Sequence, residues 1–559
     1  MDSGTLELVL KTIEDFSRRR LTLDLKLELD SKSEFPAEVI SELVGEEIGL
    51  HLVFIPEQYG GLGGSTYDIY RVSAALAEAD LGIATAFLAI SLGMDPIRVG
   101  GTDSQKARWM TRIADEGLIV AYGVTEPLAG SEVSNIKTRA DRILDDNGNV
   151  AAYRLSGTKQ FITNGSVADL YTILAMAPEG PSFFIIEKGA EGLSAGRHED
   201  KHGIRASDTS PVILEDVQVP VENLVGGEEG QGLVHAQEVF GFTRVMVAAF
   251  GLGAGIAAMK RAIAYSKDRV QYGSALCRKQ GYTHKLIVPN VVRLEAARTF
   301  IEDTARKLDS GGAGLQTEGA IAKFLATEAG NDAADAAIQA HGGYGYCREY
   351  EVEKIKRDVR ITTIYEGTSE IMQNTVGMDR WRSTIQSRFG YYAQLEDRMR
   401  AVAARSSDVG AEAVALASRA LNETLKVAFK SRLSRRQYIL FKMAEMMAGV
   451  ESAAALCERA AGENGRNGNG EQGGAQQGCL FSNGRGGKDM LKAIARIYAR
   501  DAAAVALENS NLAVAGTGIL NDDDIKLFRE RIGSAALMDA VVGAEEDMNF
   551  VAASIAGGH

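Results

Sequence analysis

The hydrophobic pattern of this 559-residue chain changes twice, from helical to β and back to helical. Residues 1–120 carry apolar side chains three to four positions apart, the spacing of amphipathic helices. Residues 121–235 hold short β-rich runs separated by Gly and Asn, which is typical of an antiparallel β unit. From residue 236 the chain returns to long Ala-rich helical segments. The pattern predicts an α+β fold, mostly α, with a β unit between helical parts.

These changes of pattern predict four domains. The first three are an N-terminal helical domain over 1–120, a middle β domain over 121–235 and a helical bundle domain over 236–400. Residues 401–559 are interpreted as a C-terminal helical extension, interrupted by a Gly-rich, polar linker at 462–487. The four cysteines form no Cys-x-x-Cys pair and no cluster with histidine, so no metal site is predicted.

The net charge and the lack of long apolar segments argue against nucleic acids and membranes as partners. A net charge of -14 argues against nucleic acid and against electrostatic attachment to an anionic membrane. Residues 1–30 are charged throughout and lack the apolar core of a secretory signal. No run of about 18 apolar residues is found. Scattered cysteines are typical of free thiols in a reducing compartment. We expect a cytoplasmic protein with no strong membrane signal.

The stretch Tyr365–Ile371 places a carboxylate, Glu366, between an aromatic ring and a glycine. Gly367 would let the backbone turn sharply or approach a ligand closely, and Thr368 or Ser369 could cap a following helix. A partly desolvated carboxylate is a better base near neutral pH. The alternative interpretation is a surface glutamate, which the helix dipole favours at a helix N-terminus.

Two motifs in this chain resemble signatures of the acyl-CoA dehydrogenase flavoproteins. Tyr365–Ile371 resembles the C-terminal signature of that family, and Ala121–Val133 resembles its other fingerprint, in the right order and at about the right distance. The resemblance covers residues 35–380 strongly and 400–559 more loosely. It implies an N-terminal helical domain, a middle β-barrel and a four-helix bundle. The C-terminal helical extension resembles that of the very-long-chain subgroup.

The resemblance implies FAD-dependent α,β-dehydrogenation of an acyl-CoA thioester to a trans-2-enoyl-CoA, as in fatty acid β-oxidation. Glu366 would remove the α-proton, the β-hydride would pass to flavin N5, and the electrons would pass to an electron-transferring flavoprotein. A nicotinamide site is not predicted, because the run Gly251–Gly255 follows a helical pattern and lacks the strand–turn–helix context of such sites.

Residue by residue, the resemblance assigns side chains to the flavin and the substrate. Thr125 would bond the pyrimidine edge of the flavin, Thr163 would lie near N5, and Phe161 stands where many relatives carry Trp against the flavin face. Thr243 stands where some members carry the base, and Arg244 beside it resembles a substrate-side arginine. The full set for the cofactor is Tyr122, Val124, Thr125, Ser131, Phe161, Thr163, Arg269, Tyr272, Gln280, Gln339, Gly343, Thr368 and Glu370. The set for the substrate is Ser131, Arg244, Tyr365 and Gly367.

Part of the cofactor set resembles contacts made across a subunit interface. Arg269 resembles the arginine that reaches the FAD pyrophosphate of the partner subunit, a role that suits its planar fork of donors. Gln339 and Gly343 resemble further contacts to the FAD of the partner. The resemblance therefore implies a homo-oligomer, with a dimer favoured and a tetramer possible.

Other interpretations stay open at this point. Thr125 and Thr163 are also ordinary β-sheet residues, Arg269 suits a helix C-terminus, and Gly343 suits a turn. A flavin oxidase or hydroxylase shares this architecture, and some paralogues with the long C-terminal domain act as assembly or scaffold proteins. The extension favours a long acyl chain, but short, branched and cyclic acyl groups, the role of the extension and the electron acceptor all stay open.

Overall fold

The computed structural model describes residues 1–311, 315–462, 478–482 and 486–557. It divides into two compact units. The first unit contains Met1–Ala254 and Glu353–Glu366, and the second contains Gly255–Val352 and Gly367–His559. The four domains predicted from the sequence stay a proposal. Most of the predicted linker at 462–487 lies outside the described residues.

The first unit opens with six helices whose starts follow from local capping. Ser65 and Asp68 form a reciprocal capping box at the start of one, and Thr102 and Gln105 form another. Asp80 caps a third through the backbone N–H of Ile83. The helices are α1 (Ser3–Arg20), α2 (Leu23–Lys32), α3 (Ala37–Val44), α4 (Thr66–Ala79), α5 (Leu81–Gly100) and α6 (Asp103–Glu116).

A seven-stranded sheet follows in the same unit. Its strands are β1 (Val120–Gly123), β2 (Arg139–Leu144), β3 (Val150–Thr163), β4 (Leu170–Ala177), β5 (Gly180–Glu187), β6 (Leu193–Ala195) and β7 (Thr209–Pro220). The order is β1-β4-β2-β3-β7-β6, with β5 paired to β4. Alternating inward side chains, among them Leu155, Ile173 and Phe184, form its core.

The sheet is not wholly antiparallel, contrary to the sequence-based prediction. β1 pairs with β4 in parallel, with Val120 opposite Leu170, and Arg139 of β2 also meets Met176 of β4 in parallel. The remaining pairs are antiparallel. Parallel neighbours need a long crossover, and here the β2–β3 hairpin lies in the connection between β1 and β4. Short-range turn signals carry no information about such a pairing.

Beyond the sheet the chain is almost entirely helical, which confirms the mostly α class. Only the short β8 (Val270–Gln271) and β9 (Ser274–Ala275) interrupt the described helices. These are α7 (Gly232–Asp268), α8 (Gln280–Tyr282), α9 (Val288–Asp309), α10 (Gln316–His341), α11 (Glu351–Val359), α12 (Ser369–Gln386), α13 (Gly390–Arg405), α14 (Ala411–Lys430), α15 (Gln437–Ala460), α16 (Gly487–Val514), α17 (Asp522–Arg531), α18 (Ser534–Asp539) and α19 (Ala544–Ala556).

Two of these helices, α5 and α7, are long and apolar enough to span a membrane by length and composition alone. In each helix, 78% of the apolar window is buried inside the protein. Phe87 and Ile97 of α5 and Val247 of α7 belong to this buried set. Their apolar character is therefore accounted for by packing in the core.

Candidate active site

Glu366 lies on a sharply turned stretch of backbone at the end of the first unit. Its φ is +53°, in the left-handed region that non-glycine residues rarely adopt. The carboxylate is half-buried, and the Thr243 hydroxyl of α7 donates a hydrogen bond to Oε2 at 3.4 Å. The turn directs the side chain toward α7, where this long hydrogen bond reaches one carboxylate oxygen. Arg244, the next residue of α7, is also half-buried.

Buried polar groups lie near Glu366. The Tyr122 hydroxyl of β1 is buried and has no hydrogen-bond partner among the described residues. Burial raises its pKa well above the usual value, and the negative charges of Glu366 and Asp95 add to this effect. Asp95 of α5 is buried and accepts a 2.9 Å hydrogen bond from Arg98 Nε. The Arg98 guanidinium carbon lies 4.1 Å from the centre of the Phe242 ring.

Tyr365 contributes a second tyrosine to these surroundings. Burial raises the pKa of its hydroxyl above the usual value, and the charge of Glu366 adds to this effect. Burial also raises the pKa of the Asp95 carboxyl, although Arg98 opposes this shift. The surroundings of Glu366 are therefore poorly hydrated, and charges interact more strongly there than in bulk water.

The predicted flavin contacts of the first unit lie on β1, β3 and the loop between β1 and β2. The carbonyl of Val124 accepts a hydrogen bond from Lys159 Nζ at 3.1 Å, and the carbonyl of Thr125 accepts one from the backbone N–H of Gln160 at 2.9 Å. Thr163 is half-buried at the end of β3, opposite Thr209 of β7. Ser131 is exposed in the loop that follows Thr125.

Phe161 interrupts β3 in an unusual way. Its φ is +59° and its side chain is 63% exposed. The β3–β7 register shifts between Lys159 and Ile162, so Phe161 lies in a bulge. A bulge re-aims a side chain out of the ladder, and here it leaves the aromatic ring exposed.

The second unit holds a separate cavity of about 540 Å³ that brings together three predicted residues, Arg269, Gln339 and Gly343. Tyr265 and His341 stack beside each other in its wall, with ring centres 4.4 Å apart. Burial lowers the pKa of His341 below its usual value. A Cβ added at Gly343 would meet no atom within 4 Å, so its backbone is open to the surroundings. A guanidinium beside accessible backbone is a suitable donor set for a phosphate-bearing ligand.

Other predicted residues of the second unit do not line this cavity. Tyr272 is 98% exposed in the β8–β9 hairpin. The Gln280 side chain donates hydrogen bonds to Glu545 at 2.7 Å and to Asn549 at 3.2 Å, both on α19.

The residues after Glu366 lead into and form the start of α12. The Thr368 hydroxyl caps this helix by accepting a hydrogen bond from Ile371 N, which confirms one of the two predicted capping residues. Gly367 has φ +91°, and a Cβ there would lie 2.6 Å from Met372 Cε. Lys323 donates to the Gly367 carbonyl. Glu370 is exposed in the first turn of the helix.

Sequence reasoning overlooked two charge pairs. Asp95 and Arg98 stand three positions apart in the otherwise apolar α5, and this spacing of opposite charges could have indicated the ion pair. Glu126 and Lys159 lie inside the two segments that carry the predicted flavin contacts, and they form a buried ion pair at 2.7 Å. The described residues hold no group of three or more His, Cys, Asp or Glu side chains that could bind a metal ion.

Three family models match consecutive parts of the chain. They describe the N-terminal domain of acyl-CoA dehydrogenases at residues 3–117, the middle domain at 121–217 and the C-terminal domain at 230–379. The short-chain-specific acyl-CoA dehydrogenase of Megasphaera elsdenii is 37% identical over 377 residues, which are 66% of this chain and 96% of that protein. A caffeyl-CoA reductase–Etf complex subunit, CarC, of Acetobacterium woodii is 33% identical over the same shares of the two chains.

A solved structure also resembles the whole chain. An acyl-CoA dehydrogenase from Bacillus anthracis, solved with FAD, has a TM-score of 0.81 at 24% identity and covers 100% of this chain and 95% of its own. This likeness shows that the fold, including the C-terminal helices, occurs in another protein. With the three domain models and relatives above 30% identity over nearly their full length, the chain belongs to the acyl-CoA dehydrogenase family.

Proposed function

We propose that this protein oxidises the Cα–Cβ bond of an acyl-CoA thioester to a trans-2-enoyl-CoA, with Glu366 as the base. The observation that carries the proposal is the setting of this carboxylate. It is half-buried on a left-handed turn, held by the Thr243 hydroxyl, and it lies near the buried Tyr122 hydroxyl. A fixed and poorly hydrated carboxylate suits the removal of a weakly acidic proton.

FAD is the cofactor of this family, and the residues present fit it. The Tyr122 hydroxyl is buried and lacks a protein partner among the described residues, Phe161 offers an exposed aromatic face, and Arg269 lines a cavity with open glycine backbone. Bound FAD supplies the acceptor for the β-hydrogen, which leaves as hydride. In the first unit, Val124, Thr125, Ser131, Phe161 and Thr163 would hold it. In the second, Arg269, Gln339 and Gly343 would contact the FAD of a partner subunit.

The protein side of the reaction follows from these positions. The Thr243 hydroxyl lies 3.4 Å from one carboxylate oxygen of Glu366 and would help to orient the side chain before substrate arrives. Glu366 would then take the α-proton from the thioester. The backbone N–H of Glu366 would donate to the thioester oxygen, where negative charge develops as the proton leaves. Arg244, Tyr365 and Ser131 would contact the substrate.

The proposal extends to partners and context. We propose that electron-transferring flavoprotein accepts the electrons from the reduced FAD, which is supported by the relative whose name includes an Etf complex. We propose a homodimer, in which Arg269, Gln339 and Gly343 contact the FAD of the partner, with a tetramer as the other possibility. Fatty acid β-oxidation in the cytoplasm and membership of the very-long-chain subgroup belong to the same proposal. The C-terminal helices support the subgroup, whereas the M. elsdenii relative supports a short acyl group.

An anaerobic titration with acyl-CoAs of increasing chain length, and with branched and cyclic ones, tests the function. Bleaching of the flavin by one class identifies the substrate. The Glu366→Gln variant should retain FAD but reduce it about 100- to 10,000-fold more slowly, the usual contribution of a general base. Glu7→Gln, at an exposed position of α1, is the control. Wild-type reduction rates in Glu366→Gln would overturn the assignment of the base.

Reoxidation of the reduced protein separates the proposal from the related oxidases. Fast transfer to electron-transferring flavoprotein, with slow oxygen consumption, is expected of a dehydrogenase. Rapid oxygen consumption would place the protein among the flavin oxidases and hydroxylases. A protein that cannot be loaded with FAD would instead support a scaffold role.

A further inference from the structure

A fully buried lysine contacts both neighbours of Thr125 in the chain. Lys159 of β3 has 0% of its surface exposed. Its Nζ donates to the Val124 carbonyl at 3.1 Å and to Glu126 Oε1 at 2.7 Å. Val124 and Glu126 are the two neighbours of Thr125 in the chain. One ammonium group therefore binds the backbone just before that residue and the side chain just after it.

Glu126 extends this fixation to the far end of the loop. Its Oε1 also accepts a hydrogen bond from the backbone N–H of Thr138 at 2.9 Å, and its Oε2 accepts one from the backbone N–H of Lys137 at 2.5 Å. Glu126 and Ala129 pair through both backbone groups. The loop that carries Ser131 is thus closed at its base by a single carboxylate.

The end of a strand explains why a buried charge pair is needed here. The pairing of β1 with β4 ends at Gly123 and Ile173, so residues 124–126 continue without that ladder. Backbone groups away from water need partners. The Thr125 carbonyl accepts a hydrogen bond from the backbone N–H of Gln160. The Val124 carbonyl accepts one from Lys159, and the backbone N–H groups of Lys137 and Thr138 donate to the Glu126 carboxylate.

Burial also limits what Lys159 can do. Its ammonium group has no exposed surface and is occupied by the Val124 carbonyl and the Glu126 carboxylate, so it does not present a donor to substrate. Buried ion pairs frequently give no more stability than apolar residues of similar volume. A role in orienting the loop accounts for its presence better than a contribution to stability alone.

We propose that Lys159 and Glu126 are positioning residues that hold residues 124–138 in the conformation that binds FAD. The inference rests on the proposed function, because it takes Thr125 and Ser131 to be contacts of the cofactor. The pair would set the loop before the cofactor arrives, so that binding does not have to order it. Its loss would weaken FAD binding even where the protein remains folded.

The test compares Lys159→Met with the double variant Lys159→Met/Glu126→Gln, using the full-length protein loaded with FAD. Three quantities are measured: the Kd for FAD, the midpoint potential of the bound flavin and the unfolding temperature. Lys159→Met leaves a buried carboxylate without its cation, so both stability and FAD affinity should fall. The double variant removes that charge and should recover most of the stability. Its Kd for FAD should stay about tenfold or more above the wild-type value, with a shifted potential.

Recovery of the unfolding temperature, the Kd and the potential together in the double variant would reduce the pair to a packing role and overturn the proposal. Arg142→Met/Glu229→Gln is the control, since this partly buried pair, at 2.7 Å, joins residues outside the 124–138 loop. It should change stability while leaving the Kd for FAD within about twofold.

One further variant and the FAD binding of the wild type separate failure of this inference from failure of the proposed function. If the double variant does not accumulate as folded protein, Glu126→Gln alone is used, because its amide group replaces one of the two accepting oxygens with a donor and so removes at least one hydrogen bond to the loop. A raised Kd for FAD at a nearly unchanged unfolding temperature supports the proposal, and an unchanged Kd overturns it. If the wild-type protein binds no FAD, the proposed function fails together with this inference. If wild type and all variants bind FAD equally, only the positioning role fails.

Discussion

At the scale of single residues, Arg380 illustrates how one buried cation links several helices of the second unit. This residue of α12 is 6% exposed. Nε and an Nη atom each lie 2.8 Å from the Glu451 carboxylate of α15, and the same Nη atom donates to Glu318 of α10 at 2.7 Å. The Tyr392 hydroxyl also donates to Glu451. Two acidic groups therefore depend on one guanidinium.

Arg380→Met should lower the free energy of unfolding by about 3 to 5 kcal/mol, because Glu451 and Glu318 would lose their cation in a buried setting. Arg382→Met, two positions along α12, is the control: Arg382 is 68% exposed and 3.6 Å from Asp379. Its loss should cost less than about 1 kcal/mol. Urea denaturation measures both, and equal effects would contradict the assigned role of burial.

At the scale of elements, α5 approaches the sheet through a glycine. A Cβ added at Gly93 would lie 2.7 Å from Val120 Cγ1 and 2.9 Å from the Val120 carbonyl carbon of β1. The Thr172 hydroxyl of β4 donates to the Gly93 carbonyl at 2.8 Å. The same helix carries Asp95, so the distance between α5 and β1 also sets the surroundings of Tyr122.

Gly93→Ala should destabilise the protein by about 1 to 3 kcal/mol, since the overpacking against β1 outweighs the better helix propensity of alanine. Gly449→Ala is the matched control inside α15, where an added Cβ meets nothing within 4 Å. There the substitution should stabilise by about 0.5 to 1 kcal/mol. Thermal and urea unfolding measure whether each variant is more or less stable than the wild type. Stabilisation by Gly93→Ala would disprove the tight contact with β1.

At the scale of the whole molecule, buried histidines couple stability to pH. Burial lowers the pKa of His51, His235 and His341 below the usual value of 6.5. As pH falls through 6.5, the unfolded chain takes up protons that these folded side chains do not bind. Stability contributed by the neutral histidines is therefore present above this pH and is lost as the pH falls.

His51 allows this coupling to be measured. Its Nε2 hydrogen-bonds the Ala114 carbonyl at 3.0 Å, so His51→Phe should cost about 0.5 to 1.5 kcal/mol at neutral pH. Phenylalanine cannot bind a proton in either state. The difference in unfolding free energy between the wild type and the variant should therefore shrink between about pH 7.5 and about pH 5.5. A constant difference would show that His51 does not contribute to the pH dependence.

Local patterns predicted more of this molecule than long-range contacts did. Hydrophobic periodicity predicted the alternation of helical and β segments, and motif resemblance selected Arg269, Gln339 and Gly343, which line one cavity. The approach of Asp95 to Tyr122 and the stacking of Arg98 on Phe242 depend on packing between distant segments, which no periodicity encodes. The bonds from Gln280 to α19 join residues more than 260 positions apart and were missed for the same reason.

Under the proposed role of Glu366 as the base, its left-handed backbone bears on how this protein could lose activity over evolutionary time. Glycine, asparagine and aspartate adopt such a conformation most readily. A glutamate codon reaches aspartate or glycine by a single nucleotide change. Such a mutation would shorten or remove the carboxylate while easing the turn, so selection for folding alone would not oppose it. A non-catalytic descendant with an intact fold therefore lies one mutation away.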